Sequence, residues 1–221
     1  MLGLSETRHA CCIIPGVTLS LRPAEISDAA GPGLLYVSAQ PYYDAYAGSR
    51  ERALAVLEAV WAKPGHTAAY EHCTIAERDG AVVGALAAFA VEDGDALARR
   101  FLTVSFPRLG VFRWPAVIRH LRAAAEVMPI PPERSLYIDA LAVAEEHRRT
   151  GVATGLLEHA ERSAEWRGLR GVSLDTGLRN VKAQALYEGY GFVRQGERRA
   201  PSERIERAIG GPGFVSYFKP V

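Results

Sequence analysis

Apolar positions along the chain change period from two to about three and a half and back, and the changes mark the elements. Residues 17–23 (VTLSLRP) alternate apolar and polar side chains and stop at Pro23, as a first or edge strand would. Ser27 and Asp28 can open a helix reaching about residue 39, and Gly31-Pro32-Gly33 breaks or delays it. Residues 40–48 (QPYYDAYAG) read as a loop carrying Tyr42, Tyr43 and Tyr46. Ser49 can cap the next helix, in which Leu54, Leu57 and Trp61 share a face before Lys63-Pro64-Gly65 ends it. Residues 73–80 and 81–93 form the clearest hairpin, turning at Asp79-Gly80.

Residues 94–134 break this pattern. They hold two or three amphipathic pieces, among them 114–128, closed by Pro129, Pro131 and Pro132. After them come an apolar strand at 136–143 (LYIDALAV), a link at 145–153 and a helix over about 151–167. A strand at 171–176 and a helix opened by Asn180 follow. The chain closes with a short strand at 192–197, a polar loop at 198–210 and a last strand from residue 213. The order predicts an α/β (α+β) fold: a mixed, mostly antiparallel sheet of six to seven strands flanked by helices on both faces. One parallel crossover lies in its middle, and the helical insertion 94–134 separates the third and fourth strands. Residues 1–16 read as a loose leader and 17–221 as a single domain.

Composition narrows the function. A formal net charge of +1 disfavours a nucleic-acid binder, which carries a basic excess. Three cysteines, two of them the adjacent Cys11 and Cys12, are too few for a disulfide framework, and no Cys-x-x-Cys pair suggests a metal site. The leader lacks a basic start and a cleavage site, and no apolar run approaches the ~18 residues of a membrane span. The expectation is a cytoplasmic protein that binds neither membrane nor nucleic acid. Walker and G-x-G-x-x-G sequences are absent, which disfavours P-loop and Rossmann chemistry.

The densest chemistry lies between residues 136 and 192. Arg148-x-x-Gly151-x-Ala153 stands where a strand passes into a helix. Small residues there let a phosphate approach free backbone N–H groups at the positive end of the helix. The same residues also suit an ordinary strand-to-helix turn with solvated arginines. Asp139 is the one carboxylate in an apolar strand, and simple alternation places it on one face with Tyr137, Leu141 and Val143. Desolvation there raises a carboxylate pKa, which suits a general base; a structural Asp bonded to a loop is the other reading. Asp175 is a second carboxylate of the same kind. Asn180 caps a helix on which Ala183 lies close by and Tyr187 shares its face two turns on.

Taken together, LAV at 141–143, RRTGVA at 148–153, SLDT at 173–176 and N-x-x-A-x-x-L-Y-x-x-x-G-F from Asn180 to Phe192 resemble the GCN5-related N-acetyltransferase (GNAT) superfamily. The close match covers about a quarter of the chain. The resemblance implies acetyl-CoA as donor, with its pantetheine arm paired to Leu141, Ala142 and Val143 in a gap between two splayed strands. It places the pyrophosphate at Arg148, Arg149, Thr150, Gly151, Val152, Ala153 and Thr154, and the thioester end beside Asn180 and Ala183. It implies Tyr187 as general acid, Asp139 or Asp175 as base, a backbone N–H near Leu141 for the oxyanion, and no metal. The acceptor would be an amine of a small molecule or peptide, attacked within a ternary complex, and a homodimer is a candidate assembly. A CoA-binding sensor without catalysis, or transfer of a bulkier acyl group, are the alternatives. Ala153 stands where the family commonly has Gly. Phe101, Phe106, Phe112 and Trp114 of the insertion, and the three tyrosines of 42–46, are packing residues or walls of the acceptor site.

Overall fold

The computed structural model describes residues 10–14 and 17–221. The expectation of a loose leader over 1–9 and 15–16 lies outside the described residues. Residues 10–14, however, form β1 (Ala10–Ile14), antiparallel to β2 (Val17–Pro23), so part of the expected leader is an edge strand.

Three helices follow. Gly31-Pro32-Gly33 opens α1 (Gly31–Ser38) rather than breaking it, because a proline in the first turn has no N–H to leave unpaired. Gly31 also lets Trp61 lie against the helix: a Cβ there would come within 2.5 Å of the ring. Asp28 caps nothing in α1. It instead receives two hydrogen bonds from Arg22, at 2.8 and 2.6 Å, while Arg22 also reaches Glu77. The expected tyrosine loop is a helix, α2 (Gln40–Ala47), again with a proline in its first turn and ended by Gly48 in the left-handed region. α3 (Arg50–Trp61) begins at Ser49, whose side chain accepts from the Arg52 N–H as expected.

β3 (Cys73–Arg78) and β4 (Ala81–Ala90) form the hairpin. Residues 91–93, read as the end of that strand, belong to α4 (Val91–Ser105). α5 (Trp114–Val127) completes the insertion. Then come β5 (Ser135–Val143), α6 (Val152–Trp166), β6 (Gly171–Gly177), α7 (Val181–Tyr190) and β7 (Val193–Arg199). The polar segment 198–210 contains a short helix, α8 (Glu203–Ile209), capped by Ser202, before β8 (Gly213–Pro220). Its charged residues hid it, since its apolar contribution reduces mainly to the buried Ile209.

Among the described residues the strands form one eight-stranded sheet in the order β1-β2-β3-β4-β5-β6-β8-β7. Only β5 and β6 run parallel. One sheet face carries α1 to α3, with Ile75, Ala85, Ala87, Ala140 and Ala142 beneath Leu35, Tyr36 and Leu57. The other carries α6, whose Leu156, Leu157, Ala160 and Ala164 cover Leu136, Ile138, Val172 and Leu174. Each fully buried leucine contributes about 1.5–3 kcal/mol. Gly84 and Gly155 let α6 sit close to the sheet: Cβ atoms there would meet Val152 at 3.0 Å and Leu19 at 2.9 Å.

The alternation expected along β5 fails at one residue. Ala87 pairs with Ala140 but Ala88 pairs with Ile138, so Asp139 has no partner on β4 and forms a bulge. Leu136 and Ile138 face the α6 layer, and so do Leu141 and Val143. Tyr137 therefore does not share a face with Leu141 and Val143, as strict alternation would have it.

Candidate active site

The bulge coincides with a fork in the sheet. β5 and β6 pair in parallel from Ser135↔Gly171 to Ile138↔Leu174 and no further. The next residue on each strand is an aspartate, Asp139 on β5 and Asp175 on β6. Beyond it both strands continue without each other. On its other side β5 stays paired to β4, and the Ala144 N–H bonds the Val83 carbonyl at 2.9 Å. Antiparallel alternation then turns the backbone groups of Ala142 toward β4 and those of Leu141 and Val143 toward the fork. Ala142, expected among the donor-binding residues, thus gives its backbone to β4 and its methyl to the core.

A cavity of about 470 Å³ opens at the fork. Its wall includes Tyr137, Asp139, Leu141, Asp175, Asn180, Ala183 and Tyr187, from the segment singled out in the sequence. The opposite wall joins residues 37–43, Met128, Arg179 and the stretch 209–214. Tyr42 and Tyr43 line it, whereas Tyr46 is buried in the core and hydrogen-bonds Ser105 at 2.7 Å. The insertion's aromatics pack elsewhere or face solvent: Phe106 lies on Trp114 and Phe101 beside Tyr46, while Phe112 is 99 % exposed.

Burial sets the charges here. It lifts the Asp139 carboxyl to about 7, and the neighbouring Asp175 charge adds to the rise. Burial lifts Asp175 to about 6, and a hydrogen bond from the Tyr137 hydroxyl at 2.5 Å to its Oδ2 opposes the rise. Tyr187 is 7 % exposed, lies edge-on to Phe192 and near Tyr217, and is held well above its ordinary pKa by burial, with Asp175 contributing. Asn180 caps α7: its Oδ1 accepts from the Ala183 N–H and its Nδ2 donates to Thr176 Oγ1 at 3.1 Å.

Past Val143, the link through Glu145–His147 brings the chain to the start of α6. Gly151 stands before the helix at φ 84°, in the left-handed region, and no side chain caps the first turn. The N–H groups of Val152, Ala153 and Thr154 therefore have no intrahelical partner. Arg149 also has positive φ, at 60°. The Arg78 guanidinium pins the turn, donating to Thr150 Oγ1 at 2.8 Å and to its carbonyl at 3.1 Å. Arg148 reaches back to the Val143 carbonyl at 3.3 Å. A helix start with open amides, flanked by arginines, can bind an oxyanion.

Residues 128 and 209–214 were not expected at the site. Met128 leaves no trace in the sequence, and 209–214 leaves only the glycine-rich run 210–213, which allows the chain to pass close to Pro41: a Cβ on Gly210 would come within 2.1 Å of its carbonyl oxygen. The hydrogen bond from Tyr137 to Asp175 joins residues on neighbouring strands, and the spacing of Tyr137 from Asp139 does not announce it. Among the described residues, no group of three His, Cys, Asp or Glu stands where it would hold a metal ion, and no helix is long and apolar enough to cross a membrane.

Residues 38–192, which carry both the strand fork and the open helix start, match the acetyltransferase (GNAT) family. The chain belongs to that family. Over 69 residues it is 38% identical to N-acetyltransferase 8 of Homo sapiens, a match spanning 31% of this chain and 30% of that protein. N-acetyltransferase family 8 member 3 of Rattus norvegicus is 35% identical over a stretch of the same length. Among solved structures, an N-acetyltransferase from Staphylococcus aureus Mu50 superposes with a TM-score of 0.66 at 16% identity, covering 90% of this chain and 99% of that one. An agmatine N-acetyltransferase gives 0.57 at 16%, covering 92% and 99%. At such identities the likeness is one of fold.

Proposed function

We propose that the protein is an acetyl-CoA-dependent N-acetyltransferase acting on an amine of a small molecule or peptide by direct attack in a ternary complex. The fork carries this reading, because it sets an unpaired strand edge, two desolvated carboxyls and a buried tyrosine around one cavity. The edge at Leu141 and Val143 suits the amides of a pantetheine arm, which would add like a short strand. The amides of Val152 to Thr154, with Arg148 and Arg149, suit the pyrophosphate. Asn180 and Ala183 flank the thioester end.

Asp139, lifted to about 7, accepts a proton from the incoming ammonium directly or through water, leaving a neutral amine. The amine nitrogen bonds to the thioester carbonyl carbon. The Leu141 N–H, turned into the fork, hydrogen-bonds the oxyanion that develops. The C–S bond then breaks and its electron pair goes to sulfur. Tyr187, kept protonated by its raised pKa, donates its hydroxyl proton toward that sulfur. The nitrogen gives up its second proton, through solvent, to the Tyr187 phenolate, Asp139 releases its proton to solvent, and the products are the amide and the free thiol.

Release of CoA thiol from acetyl-CoA, followed across an amine panel, tests the reading. Tyr187→Phe should lower turnover by roughly 10²–10³-fold while CoA binds within about threefold of wild type. Unchanged turnover would remove Tyr187 from this role.

A further inference from the structure

Given acetyl transfer at the fork, on which this inference rests, the facing half of the cavity decides which amine enters. On this side Tyr42, Tyr43 and Phe214, together with Met128, line the cavity, and the Tyr137 ring lies on the fork side. Tyr42 packs edge-on to Tyr43 at 6.3 Å and to Phe214 at 6.4 Å, so these rings form one continuous surface. Behind Tyr42, at 4.5 Å, lies the His120 ring, fully buried and anchored by its Nδ1 to the Ala208 carbonyl at 2.7 Å, which fixes the wall in place.

The charges are distributed unevenly. Among the lining residues the acids are Asp139 and Asp175, both at the fork, where the reacting nitrogen must sit. Outside the lining, Asp44 accepts from the Tyr36 hydroxyl at 2.8 Å, and Glu206 pairs with Arg179 at 2.5 Å. A second ammonium on the substrate would lose its water against aromatic rings with no carboxylate to meet it. A cation–π contact would recover only part of that loss. A flat apolar body has no charge of its own to desolvate on entering and gains edge-to-face contact.

We propose that the acceptor is a monoamine whose nitrogen is borne on an aromatic or similarly flat apolar body, with no second cationic group. The test is steady-state CoA release with 2-phenylethylamine, spermidine, agmatine and kanamycin as acceptors. 2-Phenylethylamine should exceed the polycations in kcat/KM by at least about tenfold. Phe214→Ala should raise its KM by about tenfold with kcat within about twofold, and Met128→Ala, the variant to use if Phe214→Ala fails to fold, should do so to a lesser degree. Preference for spermidine or kanamycin, or a KM for 2-phenylethylamine that ignores both substitutions, would overturn the inference and leave amine acetylation standing. No CoA release with any amine, although acetyl-CoA binds, would remove the acetyl-transfer reading itself.

Discussion

The helix start at Gly151 and the wall formed by α2, Met128 and Phe214 flank one fork but are built by different means. The first is backbone. It needs small residues, a left-handed φ of 84° at Gly151 and open amides in the first turn of α6, all within a few consecutive residues. The second is side chain, gathered from 37–43, 128 and 209–214. A backbone site can keep its sequence while the chemistry it serves stays constant. A side-chain wall can be replaced ring by ring, which suits the half of a transferase that meets a variable acceptor.

If this division is real, damage to the fork should be felt with every substrate, and damage to either side in one Michaelis constant only. The largest effect is expected for Asp139→Asn, which removes the proposed base and keeps a side chain of the same shape: kcat/KM should fall by roughly 10²–10⁴ with any amine. The same change should stabilise the protein at alkaline pH. The folded Asp139 carboxyl sits near 7 against 3.8 for the unfolded chain, so the folded state binds more protons between those values. Asp139 therefore favours folding below that window and opposes it once ionised above pH 7. Removing that opposition should add roughly 1–3 kcal/mol at pH 8, read as a Tm higher by several degrees, with the gain shrinking at pH 5.

Gly151→Val addresses the backbone side alone. A Cβ at positive φ costs about 1–2 kcal/mol and turns the first amides away. KM for acetyl-CoA should rise by about tenfold while KM for the amine holds; a change in both would merge the two sides into one. The smallest effect concerns the two carboxyls. The wild-type kcat/KM profile should lose activity as pH falls through about 7, where Asp139 becomes protonated. In Asp175→Asn the neighbouring negative charge is gone, so that limb should move to lower pH by a fraction of a unit to about one unit. A limb that stays in place would show that the two carboxyls titrate independently.

The same division decides what the sequence reveals. The 3.6-residue period of α6, Gly151 before it, and the Asn180–Tyr187 spacing are local, and the structure places them as the sequence implies. The desolvation of Asp139 follows from its place in an apolar strand, but its face does not. The Asp139 bulge inserts one residue into the alternation of β5, and nothing in LYIDALAV announces it. α2 was hidden because Pro41 and Gly48 look like loop residues until they are seen to open and close a helix. Met128 and Phe214 carry no motif at all. They reach the cavity only because α5 and β8 converge there, a tertiary event without local signature.

The fork is tested most directly by a crystal structure of the protein with CoA. The pyrophosphate should lie on the amides of Val152, Ala153 and Thr154, the pantetheine should run along Leu141 and Val143, and the thiol should point between Asp139 and Tyr187. A pyrophosphate bound away from Gly151, or a thiol outside the space between β5 and β6, would contradict it.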